Sequence, residues 1–156
     1  MEYKKYNLWK PDYAVEVDEI DSQHKKFFEY CTRLIQLADE SHVSNSLNAD
    51  LIHLFFKLRA YGFRHFMDEE ALMLKYAYPP MIEHTREHNR YYIEIFTHIE
   101  SDYNIYNLDI TAVMDDASRR IARFVSDFAA DWLGRHIYAR DKLLGEYICN
   151  KRKGRN

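Results

Sequence analysis

A chain of 156 residues is long enough to bury one substantial core and short for two, so a single domain is expected over residues 1–150, with a basic, disordered tail at 151–156. Its formal charge of -3 offers no clustered positive field to displace counterions from phosphates, which excludes nucleic acid as an expected partner. No run of about 18 apolar residues occurs and residues 1–10 hold no leader-like apolar stretch, so a cytoplasmic protein without membrane insertion is expected.

Only 4 Gly and 3 Pro punctuate a chain that is 47% hydrophobic, which favours long helices over many short strands. Ile20, Phe27, Phe28, Cys31, Leu34, Ile35 and Ala38 repeat at helical spacing behind a plausible Asp18 cap, predicting a first helix over 19–40 with His24 on its apolar face. Cys31 reads as a small core residue on that stripe. The polar stretch 41–48 reads as a connector. A second helix then carries Leu51, Phe55, Leu58, Gly62, His65, Glu69, Leu72 and Tyr76 at separations that alternate between four and three, which puts His65 and Glu69 at core positions. Pro79 and Pro80 stop that helix and open a third, whose stripe runs through Met81, His84, His88, Tyr91 or Tyr92, Ile95 and Ile99. Residues 101–110 turn polar. Ala117, Ile121, Phe124, Phe128, Trp132 and His136 then mark a fourth helix, and 137–149 either continues it or breaks near Gly145 into a short extra helix. The expected architecture is all-α: an up-down-up-down four-helix bundle with an N-terminal loop and a short C-terminal helix.

Five histidines and two carboxylates therefore sit on or beside the inward faces: His24, His65, Glu69, His84, His88, His136 and Asp141. The pairs His65/Glu69 and His84/His88 are spaced i to i+4, which aims both members of a pair at one point. Burying so many titratable groups without a counter-ion costs several kcal/mol for each one left unsatisfied, so metal is expected among them. A structural zinc takes four ligands, so seven donors imply two ions. If both ions are octahedral, imidazoles, bridging carboxylates and a bridging oxygen leave one of twelve positions vacant, and the mixed donor set suits iron. His42, His53 and His98 fall off the stripes and read as surface residues.

The chain resembles the hemerythrins, and among them the single-domain bacterial branch, the bacteriohemerythrins. The resemblance begins at Trp9 and runs through Ile20-Asp21-Ser22-Gln23-His24-Lys25, His65-Phe66-Met67-Asp68-Glu69-Glu70, Tyr78-Pro79 with His84 and His88, and His136-Ile137 with Asp141. It implies two iron ions joined by an oxo or hydroxo bridge. His84, His88 and His136 would hold one, His24 and His65 the other, and Glu69 and Asp141 would bridge them. The two-histidine iron would keep the vacancy, where dioxygen binds reversibly. The chain departs from the family pattern at Glu16, where a small residue is common, at the second proline Pro80, and in a longer connector at 101–110.

Reversible binding needs a dry pocket, and Phe27, Phe66, Leu133 and Ile137 are the apolar neighbours expected to line it. Gly134 is expected to allow a close approach beside His136. An oxygen carrier or store is the first functional expectation. An oxygen or redox sensor acting through a partner comes second, and a di-iron oxidase or peroxidase third. Ferritin-like di-iron enzymes place Glu-x-x-His on two helices, and that pattern is absent here, which disfavours turnover. A monomer is expected, with an oxygen-consuming enzyme or a signalling protein as its possible partner.

Overall fold

The computed structural model describes residues 7–39, 45–102 and 104–154, apart from the side chains at 96 and 98–102. Five α-helices are found among them: α1 (Asp18–Ala38), α2 (Asn48–Tyr76), α3 (Met81–Asp102), α4 (Asp116–His136) and α5 (Lys142–Arg152). A π-helical turn, Ile137–Asp141, joins α4 to α5 without a break, so the chain forms four columns, as expected. α1 and α3 each pack against both α2 and α4. Gly145 does not end the last column. No strand occurs among the described residues, and no helix is long and apolar enough to cross a membrane.

The first helix starts differently from expectation. Val17, extended and buried, holds the N-cap position, while Asp18 lies inside the first turn. Asp21 turns back instead and accepts the Val15 N–H at 2.7 Å, which ties the N-terminal segment to α1. That segment passes through Glu16 at φ 61, the left-handed region that bulky residues rarely enter, at one of the positions where the chain leaves the family pattern. α2 ends where Ala77 adopts the left-handed conformation and Tyr78 N–H reaches back to the Met73 carbonyl at 2.9 Å. Pro80 then accepts the His84 N–H at 3.1 Å and so begins α3.

The 101–110 connector is structured where it is described. Ile105 is buried, and the following chain offers the Ile110 and Ala112 carbonyls to the otherwise unpaired Ala49 and Asn48 N–H groups at the start of α2. α4 is rotated relative to its predicted stripe. Ala117 is exposed, Phe124 and Phe128 are only half buried, and Ser118, Ala122, Ser126 and Ala129 face inward. Small inward residues let α1 approach closely, and Ser126 Oγ–H donates to the Cys31 carbonyl at 2.8 Å. Cys31 itself is fully buried, which pushes its thiol pKa up and makes it inert. His53 is exposed on α2. His42, the His98 and Ile99 side chains, Arg155 and Asn156 lie outside the described residues, and the helical run of α5 includes Lys151 and Arg152.

Candidate metal centre

Each column contributes donors to one buried point. His24 comes from α1, His65 and Glu69 from α2, His84 and His88 from α3, His136 from the end of α4, and Asp141 from the π turn; all seven are at most 3% exposed. The π turn explains how the last two converge. In an α-helix, residues five apart point about 140° from each other, whereas a turn closed by i to i+5 bonds stacks them. Lys142 N–H bonding to the Ile137 carbonyl is such a bond, and it brings the Asp141 oxygen to 3.1 Å from His136 Nε2.

The donors form two groups, one of His24, His65, Glu69 and Asp141 and another of Glu69, His84, His88 and His136. Asp141 faces both: Oδ2 lies 3.2 Å from His24 Nε2, and Oδ1 lies 3.0 Å from His84 Nε2. Glu69 does likewise, with Oε1 4.0 Å from His24 Nε2 and Oε2 3.2 Å from His88 Nε2. These oxygens, together with His24 Nε2 and His65 Nε2, are buried and find no hydrogen-bond partner among the described residues. Buried polar atoms left so are costly and rare unless something else engages them.

A cation accounts for the arrangement. His136 Nε2 stands 2.9 Å from His84 Nε2 and 3.1 Å from His88 Nε2, three ring nitrogens crowded at one point. Neighbouring vertices of an octahedron with metal–nitrogen bonds of about 2.1 Å are about 3.0 Å apart, so both separations are those of adjacent ligands on one ion. The electrostatics agree. Burial and the nearby Asp141 charge push Glu69 up to about 7, and burial and His136 push His88 down to about 4. Burial also lowers His65, with His24 adding to the effect. At His136 burial works against the cation but is outweighed by Asp141, Glu87 and Glu69, which lift it to about 10. Protein charges alone thus leave the cluster at odds with itself, and positive charge between the carboxylates resolves it. The residues present fit a pair of metal ions.

The outer side of three rings is held by groups that sequence reasoning missed. His65 Nδ1–H donates to Gln23 Oε1 at 2.9 Å, His88 Nδ1–H to Glu70 Oε1 at 2.9 Å, and His136 Nδ1–H to Glu87 Oε2 at 3.2 Å. Arg140 clamps the far oxygen of Glu87 at 2.6 Å, and the hydrogen bonds from His136 and Arg140 hold the Glu87 carboxyl down at about 2. Such bonds fix the tautomer and leave each Nε2 bare for a metal. Gln23, Glu70 and Glu87 each directly flank a donor in sequence, the one signal there that points to them.

The expected pocket residues Phe27, Phe66, Leu133 and Ile137 are all buried. Phe66 stacks on His88 with ring centroids 4.1 Å apart, and Trp132, one turn before His136, stacks on His136 at 4.5 Å. Phe27 lies 3.2 Å from where a side chain on Gly62 would begin. At Gly134 the neighbour is no helix but the Tyr13 hydroxyl, 2.9 Å from the place of a Cβ.

A helical bundle that gathers five imidazoles around two shared carboxylates defines a non-haem, two-metal binding protein. Residues 15–148 match the family described as Hemerythrin HHE cation binding domain, and the chain belongs to the hemerythrin family, a family of di-iron oxygen-binding proteins. It is 36% identical to a bacteriohemerythrin of Campylobacter jejuni over 87% of this chain and 90% of that protein, and 24% identical to one of Clostridium acetobutylicum over 90% and 98%. It is also 26% identical to a myohemerythrin of Riftia pachyptila over 83% of each. No solved structure matches the chain.

Proposed function

We propose that this protein binds dioxygen reversibly at a di-iron centre and serves as an oxygen carrier or store. The observation that carries the reading is the pair of buried carboxylates, each turning one oxygen to either imidazole group. Two iron ions with an oxo or hydroxo bridge would supply two one-electron donors and one open position for dioxygen. His84, His88 and His136 are the proposed ligands of one ion, His24 and His65 of the other, with Glu69 and Asp141 shared.

The chain's own part is to hold and to dry the site. Gln23, Glu70 and Glu87 accept the Nδ1–H of three ligands, so Nε2 is the nitrogen each ring presents to a metal. Phe27, Phe66, Leu133 and Ile137, all buried, are the proposed wall that excludes water and stray proton donors from the centre, with Phe66 stacked on His88. A donor set richer in imidazole than in carboxylate puts little negative charge on the metals and favours their reduced pair, which supports binding over turnover.

The test is a cycle. The iron-loaded protein is reduced without air, exposed to oxygen and then purged, with the visible spectrum followed throughout. Colour that appears and disappears over repeated cycles is expected; irreversible bleaching, or sustained consumption of peroxide, would replace the carrier by an enzyme.

A further inference from the structure

A surface helix ordinarily carries one apolar stripe, turned to its own core, but α2 carries two on opposite sides. The inner one includes Leu51, Leu58 and Leu72 and bears the donors His65 and Glu69. The outer one consists of Phe56, Ala60, Phe63, Met67, Ala71 and Leu74, all exposed; Phe63 and Met67 are each 55% exposed and Leu74 68%. At a rise of about 1.5 Å per residue the outer seam is about 27 Å long. Tyr106, 6.1 Å from Phe56 between ring centroids, and Tyr92, 5.8 Å from Phe63, widen it. A continuous face of this kind differs from the single apolar residues scattered over monomer surfaces and calls for a cover.

We propose that the cover is a second copy of this chain, packed α2 against α2 in antiparallel, two-fold fashion. Centred near His65, that alignment sets Phe56 against Leu74 of the partner subunit and Phe63 against Met67 of the partner subunit, and symmetry repeats both contacts. The charges beside the seam select the orientation. The N-terminal half of α2 is flanked by Arg59 and Arg64, and the C-terminal half by Asp68, 3.7 Å from Arg64 of its own chain, and Glu70, one oxygen of which holds His88. Running the copies in opposite directions brings Arg59 to Glu70 of the partner subunit and Arg64 to Asp68 of the partner subunit. A parallel pair would set arginine against arginine and carboxylate against carboxylate. Lys57 and Lys75 do fall opposite each other, but at the outer ends of the seam, where solvent and salt screen them. A dimer takes the place of the monomer expected from sequence, and it stands independently of the oxygen-binding reading.

Sedimentation of the iron-loaded full chain over a wide concentration range tests this. A reversible monomer–dimer equilibrium is expected, with Phe63→Glu weakening it by about thirtyfold or more, the size of a central interface residue. Ile82→Glu, at an exposed position on α3, leaves it unchanged; helical circular dichroism and melting confirm that both variants fold. Orientation is read by crosslinking in a Cys149→Ser background. A mixture of Ala60→Cys and Ala71→Cys chains forms a covalent dimer, and neither variant alone does so efficiently. A monomer at every concentration, a dimer indifferent to Phe63→Glu, or efficient crosslinking of Ala60→Cys with itself overturns the proposal.

Discussion

Glu87 shows how much of a metal site rests on groups that never touch the metal. It receives the His136 Nδ1–H at 3.2 Å and is itself gripped by Arg140, so ring orientation and tautomer are set together. Glu87→Gln keeps the shape but weakens both bonds, and metal affinity is expected to fall about ten- to hundredfold, as measured by competition with a chelator. An unchanged affinity would mean that packing against Trp132 alone positions the ring. The seven candidate ligands stood out in the sequence as titratable residues on or beside apolar stripes, two pairs of them at i, i+4 spacing, and the structure brings all seven to one buried point. Glu87, Glu70 and Gln23 did not stand out, because an acid or amide beside a histidine is ordinary until the packing shows which ring it backs.

At the level of elements, the helices were legible and their rotations less so. Hydrophobic spacing located all four columns, yet on α4 it favoured Phe124 and Phe128, where the fold turns Ala122 and Ala129 inward to admit α1. Spacing ranks residues by apolarity and cannot see how close a neighbouring helix must come. The π turn was equally hidden, since nothing local in Ile137–Asp141 announces an extra residue per turn. Two predictions belong here. Gly145 on α5 lies under the N-terminal segment, where a Cβ would stand 2.1 Å from the Val15 carbonyl oxygen; that atom is backbone and cannot swing aside. Gly145→Ala is expected to destabilise the protein by about 1–3 kcal/mol, as overpacking does, and to increase proteolysis around residues 10–17; denaturant unfolding and limited digestion measure the two effects. Asp115 caps α4 by accepting the Ser118 N–H at 2.8 Å, and that backbone hydrogen bond lowers its pKa below 3.8. A depressed acid stabilises the fold above its unfolded pKa and loses that contribution as pH falls through the folded value. The melting temperature of Asp115→Ala should therefore lie below that of the unaltered chain at neutral pH, with the gap closing below pH 3.8. A gap that stays constant into acid would deny the cap its charge.

For the molecule as a whole, the bundle is built around a centre that it cannot satisfy by itself. The columns converge on imidazoles whose nitrogens face one another at 2.9 and 3.1 Å and on carboxylates without hydrogen-bond partners, in the very layer that should be the driest part of the core. An apolar core gains stability from being closed, whereas this layer gains it only when positive charge lies between the carboxylates. Metal held there would therefore act as part of the fold, and its removal should be felt beyond the site. With free ion about a thousandfold above its dissociation constant, binding adds about 4 kcal/mol to the folded state, which for a domain of this size is worth about 8 °C or more in melting temperature. Stripping the protein with a strong chelator should lower the melting temperature by at least that much and weaken the near-ultraviolet circular dichroism of the aromatic rings stacked on His88 and His136, while most helicity persists. Zinc or manganese should restore the melting temperature but not the oxygen-dependent colour, which separates the structural contribution of a cation from the redox contribution of iron. Stripped protein that melts within a degree or two of the loaded form would show that the donors can satisfy one another, and the case for a metal-built core would fail.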